Sequence, residues 1–437
     1  MRRSISTREA GTTHRTFAAA AIGNLLEIYD FIAYGIFAVP ISRTFFATHS
    51  ELISLLLTFL TFAVGFIARP VGALVLGRYA DRVGRRRALS LTLILMAAST
   101  AVLAVCPSYA SIGLAAPVII TLGRLLQGFS AGGEVGGAVA MLVENAPESK
   151  KNFASSFQQM SQGGGALLAG LVGLALTHVF TDAQIAGGAW RLAFVFGLLI
   201  GPVGWYIRRS VPETVAFEAA SRERAPALLP TLASHRWQFV GAVAIMVFWT
   251  IATYVSNYFT TYAVRELHLP LSQSYLGQLS YGVVMVVMCP IIGHLSDRIG
   301  VRKPMLFGAT LTALFAYPLF WLLAHQPGPL SLMLVQACIG FLLACYAACA
   351  SNVLASIFPT RFRATGVGFA YAIGVTVFGG LTPLAVTSLI DITGDKLVIG
   401  YYLSAAAVVS CIAVWLTAPH RDKPKHEDNA ATLAVTE

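Results

Sequence analysis

Two carboxylates, Glu27 and Asp30, lie three residues apart inside an apolar segment running from Phe17 to Ile41. A charge near the centre of a bilayer-crossing helix costs roughly 2.5–3.5 kcal/mol on insertion scales. Two such charges need a chemical reason. Arg124 is placed about as deeply in the fourth apolar segment, Arg69 lies inside the second, and Glu134 lies roughly 15 Å further along the fourth. Burial favours a neutral acid, whereas a nearby guanidinium favours its carboxylate. A site with both influences changes protonation when an anion reaches the arginine. Glu27 and Asp30 are therefore candidate proton carriers, and the alternative is that they bond neighbouring helices. Glu134, in the glycine-rich run SAGGEVGG, competes for the proton role or serves a gate with Arg69 as partner.

Arg124 is the best candidate for holding an anion, because guanidinium stays charged and grips a carboxylate bidentately. A structural ion pair with Glu27 or Asp30 is the competing explanation. Asn24, Glu27, Asp30 and Tyr34 follow steps of three and four, which predicts one polar stripe on a helix. Arg124 and Gln127 share a face in the same way, with Gly128 expected to leave room beside them. Tyr254, Tyr258 and Tyr262 recur every fourth residue with Asn257 beside them. Their hydroxyls suit a carboxylate and their rings a quaternary amine, although aromatic residues at this spacing also serve simply as packing. Gln158, Ser161 and Gln162, in a stretch continuing SQGGGALLAG, are expected to reach the same interior.

The elements that carry these residues follow from composition. Of 437 residues, 56% are hydrophobic and 11% charged, against about 25% charged in soluble proteins. The mean hydropathy is +0.71. The chain reads as an all-α integral membrane protein. Twelve apolar runs are long enough to be spans, at about 17–41, 51–77, 88–107, 111–144, 153–178, 189–207, 236–263, 273–294, 304–324, 330–357, 365–390 and 397–418. The first is too long for a signal peptide's apolar core and is expected to stay in place. The predicted organisation is a six-helix half at 1–207, a linker at 208–235, a second half at 236–418 and a tail at 419–437. Loops on one side of the membrane carry 24 Lys and Arg, and those on the other carry only Arg43, Arg265 and Lys396. This asymmetry predicts cytoplasmic termini. The net charge of +10 is then topology and not a nucleic-acid surface. Six cysteines sit in or beside apolar runs, and Cys345 and Cys349, one turn apart, read as packing residues. No phosphate-binding loop, nucleophile triad or metal-ligand spacing is evident, so neither an enzyme nor a resident cofactor is expected.

The chain contains an internal repeat. GRYADRVGRRRA begins at Gly77 and GHLSDRIGVRKP at Gly293, 216 positions later. The shared residues are Gly77, Asp81, Arg82 and Gly84, followed by Arg85, and Gly293, Asp297, Arg298 and Gly300. Both stretches read as loops. Glycine permits the tight turn, aspartate accepts hydrogen bonds at a helix end or pairs with arginine, and the basic run anchors the loop. A plain topology signal would need the arginines alone.

The doubled motif on twelve spans resembles the major facilitator superfamily. GNLLEIYDF on the first span and GRLLQGFSAGGEVGGA on the fourth are similar to its metabolite:proton symporters. The block Phe378–Lys396 looks most like the citrate-transporting branch, and betaine-type members share part of it. One departure is Tyr258-Phe259-Thr260-Thr261-Tyr262, which lacks the proline many members carry there. The resemblance implies twelve helices in two parallel six-helix repeats, a substrate held between the halves, and alternating access. It also implies import of a di- or tricarboxylate such as citrate with protons, or of betaine or proline as the alternative. A transporter-like receptor would carry a long cytoplasmic domain, which the segment 208–235 is too short to supply. The expected partners are the carboxylate, protons and the lipid bilayer of a bacterial inner membrane, with no nucleic acid and a monomeric chain. The driving force is the proton gradient, with sodium left open.

Overall fold

The computed structural model describes residues 24–25, 27–83, 85–132, 146–198, 202, 235–358 and 363–417, and all regular structure among them is helical. Twelve helices correspond to the twelve apolar runs. α1 covers 27–45 with a turn at Phe37. α2 is Glu51–Val83, α3 Arg85–Val105 and α4 Ala115–Gly132. α5 is Lys151–Val179 and α6 covers 191–198. α7 is Arg236–Arg265, α8 Leu271–Ile299, α9 Arg302–His325 and α10 Pro329–Ile357. α11 runs from Arg363 to Thr393 and α12 is Val398–Thr417. Eight of them, α2, α5 and α7–α12, are by themselves long and apolar enough to cross a membrane.

The repeated motif is not a loop, which corrects the sequence expectation. α2 continues through Gly77 and Asp81 to Val83, and α8 continues through Gly293 and Asp297 to Ile299. Nothing in the motif before its second glycine breaks a helix, so each helix extends beyond its apolar run. The turn is made at Gly300, whose φ of 85° favours glycine. The equivalent Gly84, and the side chains of Asp81, Arg82 and Arg85, lie outside the described residues.

Glycine sets the closest helix approaches. A side chain on Gly128 of α4 would overlap the backbone of Gly65 on α2, and one on Gly132 would overlap that of Arg69. Gly128 therefore admits the α2 backbone and does not leave open space beside Arg124 as expected. α5 and α8 pack the same way along their length, with Gly163 against Met285, Gly282 against Leu167, and Gly293 against Asn152 and Ser156. Small residues at such interfaces let membrane helices gain dispersion contacts.

Two helices depart from regular geometry. Pro70 inside α2 has no N–H and frees the Phe66 carbonyl. Thr376 Oγ1 of α11 donates to that oxygen at 2.8 Å, so the break in one helix docks the other. α11 itself widens into a π turn at Val375–Gly380. Pro383 cannot donate to Gly379, and the Tyr254 ring packs where Gly379 has no side chain.

Candidate functional site

The α2–α4 glycine contact brings two arginines to one phenyl ring. Arg124 is fully buried, and its Cζ lies 4.2 Å from the Tyr34 ring centroid and 5.1 Å from those of Phe31 and Phe62. Arg69, 3% exposed, lies 4.4 Å from the centroids of Phe31 and Phe66. Cation–π attraction compensates part of the lost hydration of each guanidinium. Arg124 Nη1 donates to Gln127 Oε1. The Nε and Nη2 atoms of both arginines are buried without a hydrogen-bond acceptor.

The stripe predicted on α1 fans out to different neighbours. Asn24 donates to Ser161 Oγ at 2.6 Å and to the Gln158 carbonyl at 3.3 Å on α5. Asp30 accepts from Thr100 Oγ1 of α3 at 2.5 Å and lies against Gly197 of α6. Tyr34 donates to the Thr58 carbonyl of α2 at 3.2 Å. Glu27 is buried, and Glu134 lies outside the described residues. On α7, Tyr258 accepts from Thr387 Oγ1 at 3.1 Å and Tyr262 donates to the Lys396 carbonyl at 3.2 Å. Tyr254 packs its ring on Phe62 and Phe66.

A cavity of about 20 Å³ lies between the halves, lined from α1 by Ile28, Phe31 and Ile32 and from α5 by Gln162. α7 contributes Trp249, Thr250, Thr253, Tyr254 and Asn257; α8 contributes Tyr281; and α11 contributes Tyr371 and Val375. That volume holds about one water. Of the sequence candidates, Gln162, Tyr254 and Asn257 meet there. Arg124 and Gln127 stand behind Phe31, while Gln158 accepts from Ser351 at 3.0 Å nearer the end that carries the repeated motif.

The Major Facilitator Superfamily model matches residues 20–288 and 262–436. The chain belongs to the major facilitator superfamily. It is 39% identical to the citrate-proton symporter of Klebsiella pneumoniae, over 90% of this chain and 88% of that one. It is 33% identical to the alpha-ketoglutarate permease of Escherichia coli over 90% of both chains. A putative proline/betaine transporter of Staphylococcus aureus is 33% identical over 93% of this chain and 88% of that one. Among solved structures, a D-xylose-proton symporter superposes with a TM-score of 0.74 at 18% identity, covering 93% of this chain and 98% of that chain. This likeness establishes the fold, twelve helices in two six-helix repeats, and the sequence relatives are transporters and not enzymes.

The described contacts between the halves of this facilitator differ in chemistry at the two ends of the helix bundle. At the motif end, Asp297 of α8 accepts from the N–H groups of Asn152 and Phe153 at 2.9 and 3.1 Å. These donors begin α5, where helix N–H groups lack internal partners. Asn352 donates to Asn152 Oδ1 at 2.8 Å beside them. At the opposite end the contacts are aromatic, Phe37 with Tyr275 and Phe59 with Tyr258. Sequence reasoning missed the Asp30–Thr100 bond and the place of Phe31 against two arginines. No periodicity marks Thr100. For Arg69, a cation inside a 26-residue apolar segment was the available signal.

Proposed function

We propose that this facilitator imports a small di- or tricarboxylate, citrate-like in chemistry, together with protons by alternating access. The observation that carries this is Arg124. Its guanidinium is buried, held by rings and one amide, and keeps two nitrogens free of protein acceptors. That is a prepared receptor for a carboxylate. The names of the relatives, citrate-proton symporter and alpha-ketoglutarate permease, favour the same cargo. The substrate sits between Arg124 with Gln127 and the wall formed by Gln162, Tyr254 and Asn257. Asp30 and Glu27 carry the proton, and their protonation follows occupation of the arginine. The division at 208–235 separates the rocking halves. The motif residues from Gly77 to Arg85 and from Gly293 to Gly300 gate the cytoplasmic end, where both termini lie. The chain works as a monomer in the inner membrane, with no resident cofactor.

The second reading is a betaine or proline importer. The aromatic wall of Trp249, Tyr254, Tyr281 and Tyr371 favours it, because such rings accommodate a quaternary ammonium, and putative proline/betaine transporters are among the relatives. Uptake into proteoliposomes under an imposed pH gradient separates the two. Citrate or 2-oxoglutarate should accumulate when the outside is acidic, without sodium, and betaine should not compete. Betaine uptake that citrate leaves untouched would reject the carboxylate reading. Accumulation that follows a sodium gradient and ignores pH would reject proton coupling.

A further inference from the structure

We propose that Arg69 is a second anion-binding group, and that the site is built for two carboxylates of one ligand held beside Phe31. This deepens the carboxylate reading and rests on it. The Cζ atoms of Arg69 and Arg124 lie 4.4 and 5.1 Å from the same Phe31 centroid, so they are at most 9.5 Å apart. Both side chains are more than nine-tenths buried, and each keeps Nε and Nη2 without an acceptor. Two buried cations this close repel, and N–H donors buried without an acceptor are costly. A bridging dianion removes both penalties at once. A single carboxylate satisfies only one guanidinium and leaves the other as it was.

The packing explains why both groups are held ready. Gly65, Gly128 and Gly132 bring the α2 and α4 backbones together beneath the two side chains, so their separation is a property of the helix pair. Phe31 is the only side chain that both stacks on the two guanidinium groups and lines the central cavity, among the described residues. Rotation of its ring opens the cavity onto both cations. A ligand with carboxylates at the two ends of a four- or five-carbon backbone then spans them, each carboxylate taking paired N–H donors. A betaine has one carboxylate and a cationic end, which Arg69 repels. Arg69 thereby selects polycarboxylates over zwitterions.

The test is equilibrium binding to the purified full-length protein in detergent, by calorimetry, with two probes. One is citrate. The other is 2-hydroxyisobutyrate, which keeps the hydroxy acid centre of citrate and lacks its terminal carboxylates. Arg69→Gln should weaken citrate at least 50-fold and change 2-hydroxyisobutyrate by less than threefold. Arg69→Lys, which keeps the charge and loses the fork, should weaken citrate about tenfold, and it serves if Arg69→Gln does not fold. Arg124→Gln should abolish binding of both. If wild-type protein binds citrate and either folded Arg69 variant binds it equally well, this inference is overturned and the carboxylate reading stands. Equal weakening of both probes also overturns it, because Arg69 would then be supporting the fold or pairing with an acid such as Glu134. If wild-type protein binds neither citrate nor 2-oxoglutarate, the carboxylate reading fails, and this inference fails with it.

Discussion

Removing the charge of Asp297 tests what keeps the motif end closed. Its carboxylate accepts from two N–H groups at the start of α5, at 2.9 and 3.1 Å, across the interface between α8 and α5. A hydrogen bond to a charged group contributes about 1.5–3 kcal/mol, and a negative charge at a helix N-terminus adds about 0.3–1 kcal/mol. Asp297 is only half-buried, so the lower ends of these ranges apply. Asp297→Asn leaves one oxygen able to accept and no charge, worth about 1 kcal/mol as a neutral bond. The net loss is about 2 kcal/mol, or a shift of about 30-fold between closed and open forms. Lys150 and Lys303 are exposed on the two sides of this contact and accept spin labels in a cysteine-substituted background. Double electron–electron resonance should show a short distance in the parent protein and a substantial longer-distance population in Asp297→Asn. A distance distribution that is unchanged, with and without citrate, would refute the argument that this cap holds the end shut.

Three further perturbations address packing, coupling and the tyrosine stripe. Gly128→Ala puts a methyl group into the Gly65 backbone, and overpacking of this kind costs about 1–3 kcal/mol. The melting temperature in detergent should fall by several degrees, and no change would show that α2 and α4 separate without strain. Asp30→Asn keeps a partner for Thr100 and removes the titratable proton. It should abolish accumulation driven by a pH gradient while citrate–citrate exchange continues, as should Glu27→Gln, and undiminished accumulation in both variants would reject the proton assignment. Tyr258→Phe removes the acceptor for Thr387, at about 1 kcal/mol. Citrate affinity should stay within about threefold by calorimetry, and a larger loss would put that hydroxyl on the ligand.

Much of the architecture was legible because membrane helices leave a simple record. Apolar length marks the spans, basic residues mark their ends, and the repeated Gly-Asp-Arg-Gly pattern marks the duplication. The record fails where one residue type has two uses. Gly128 read as space beside Arg124, yet it serves backbone contact with Gly65, because spacing within α4 says nothing about which helix faces it. The α1 stripe read as one polar face. Asn24, Asp30 and Tyr34 instead reach α5, α3 and α2, because a central helix is surrounded and each turn meets a different neighbour. The motif read as a loop because glycine and charge usually signal one, whereas beyond the apolar core charged residues are compatible with helix. Phe31 carried no signal of its own, since a phenylalanine in an apolar run is ordinary until two guanidinium groups are found on its ring.

The two sealed ends suggest why a small ligand can shift the whole molecule. Opening the motif end exchanges the Asp297, Asn352 and Ser351 hydrogen bonds for bonds to water, and each exchange is worth about 1 kcal/mol or somewhat more where charge is involved. Opening the opposite end exposes parts of Phe37, Phe59, Tyr258 and Tyr275, at about 25 cal/mol per Å² of apolar surface. Exposure of about 200 Å² then costs about 5 kcal/mol, close to the total of about 5 kcal/mol for the four hydrogen bonds at the other end. Two seals of similar strength and different chemistry leave the forms near balance, where a few kcal/mol decides the population. On the proposal that the buried arginines hold the ligand, they supply a contribution of that size, because their unused donors make the ligand bind most strongly in the form that closes around them. Access then changes with occupancy and not with either seal alone.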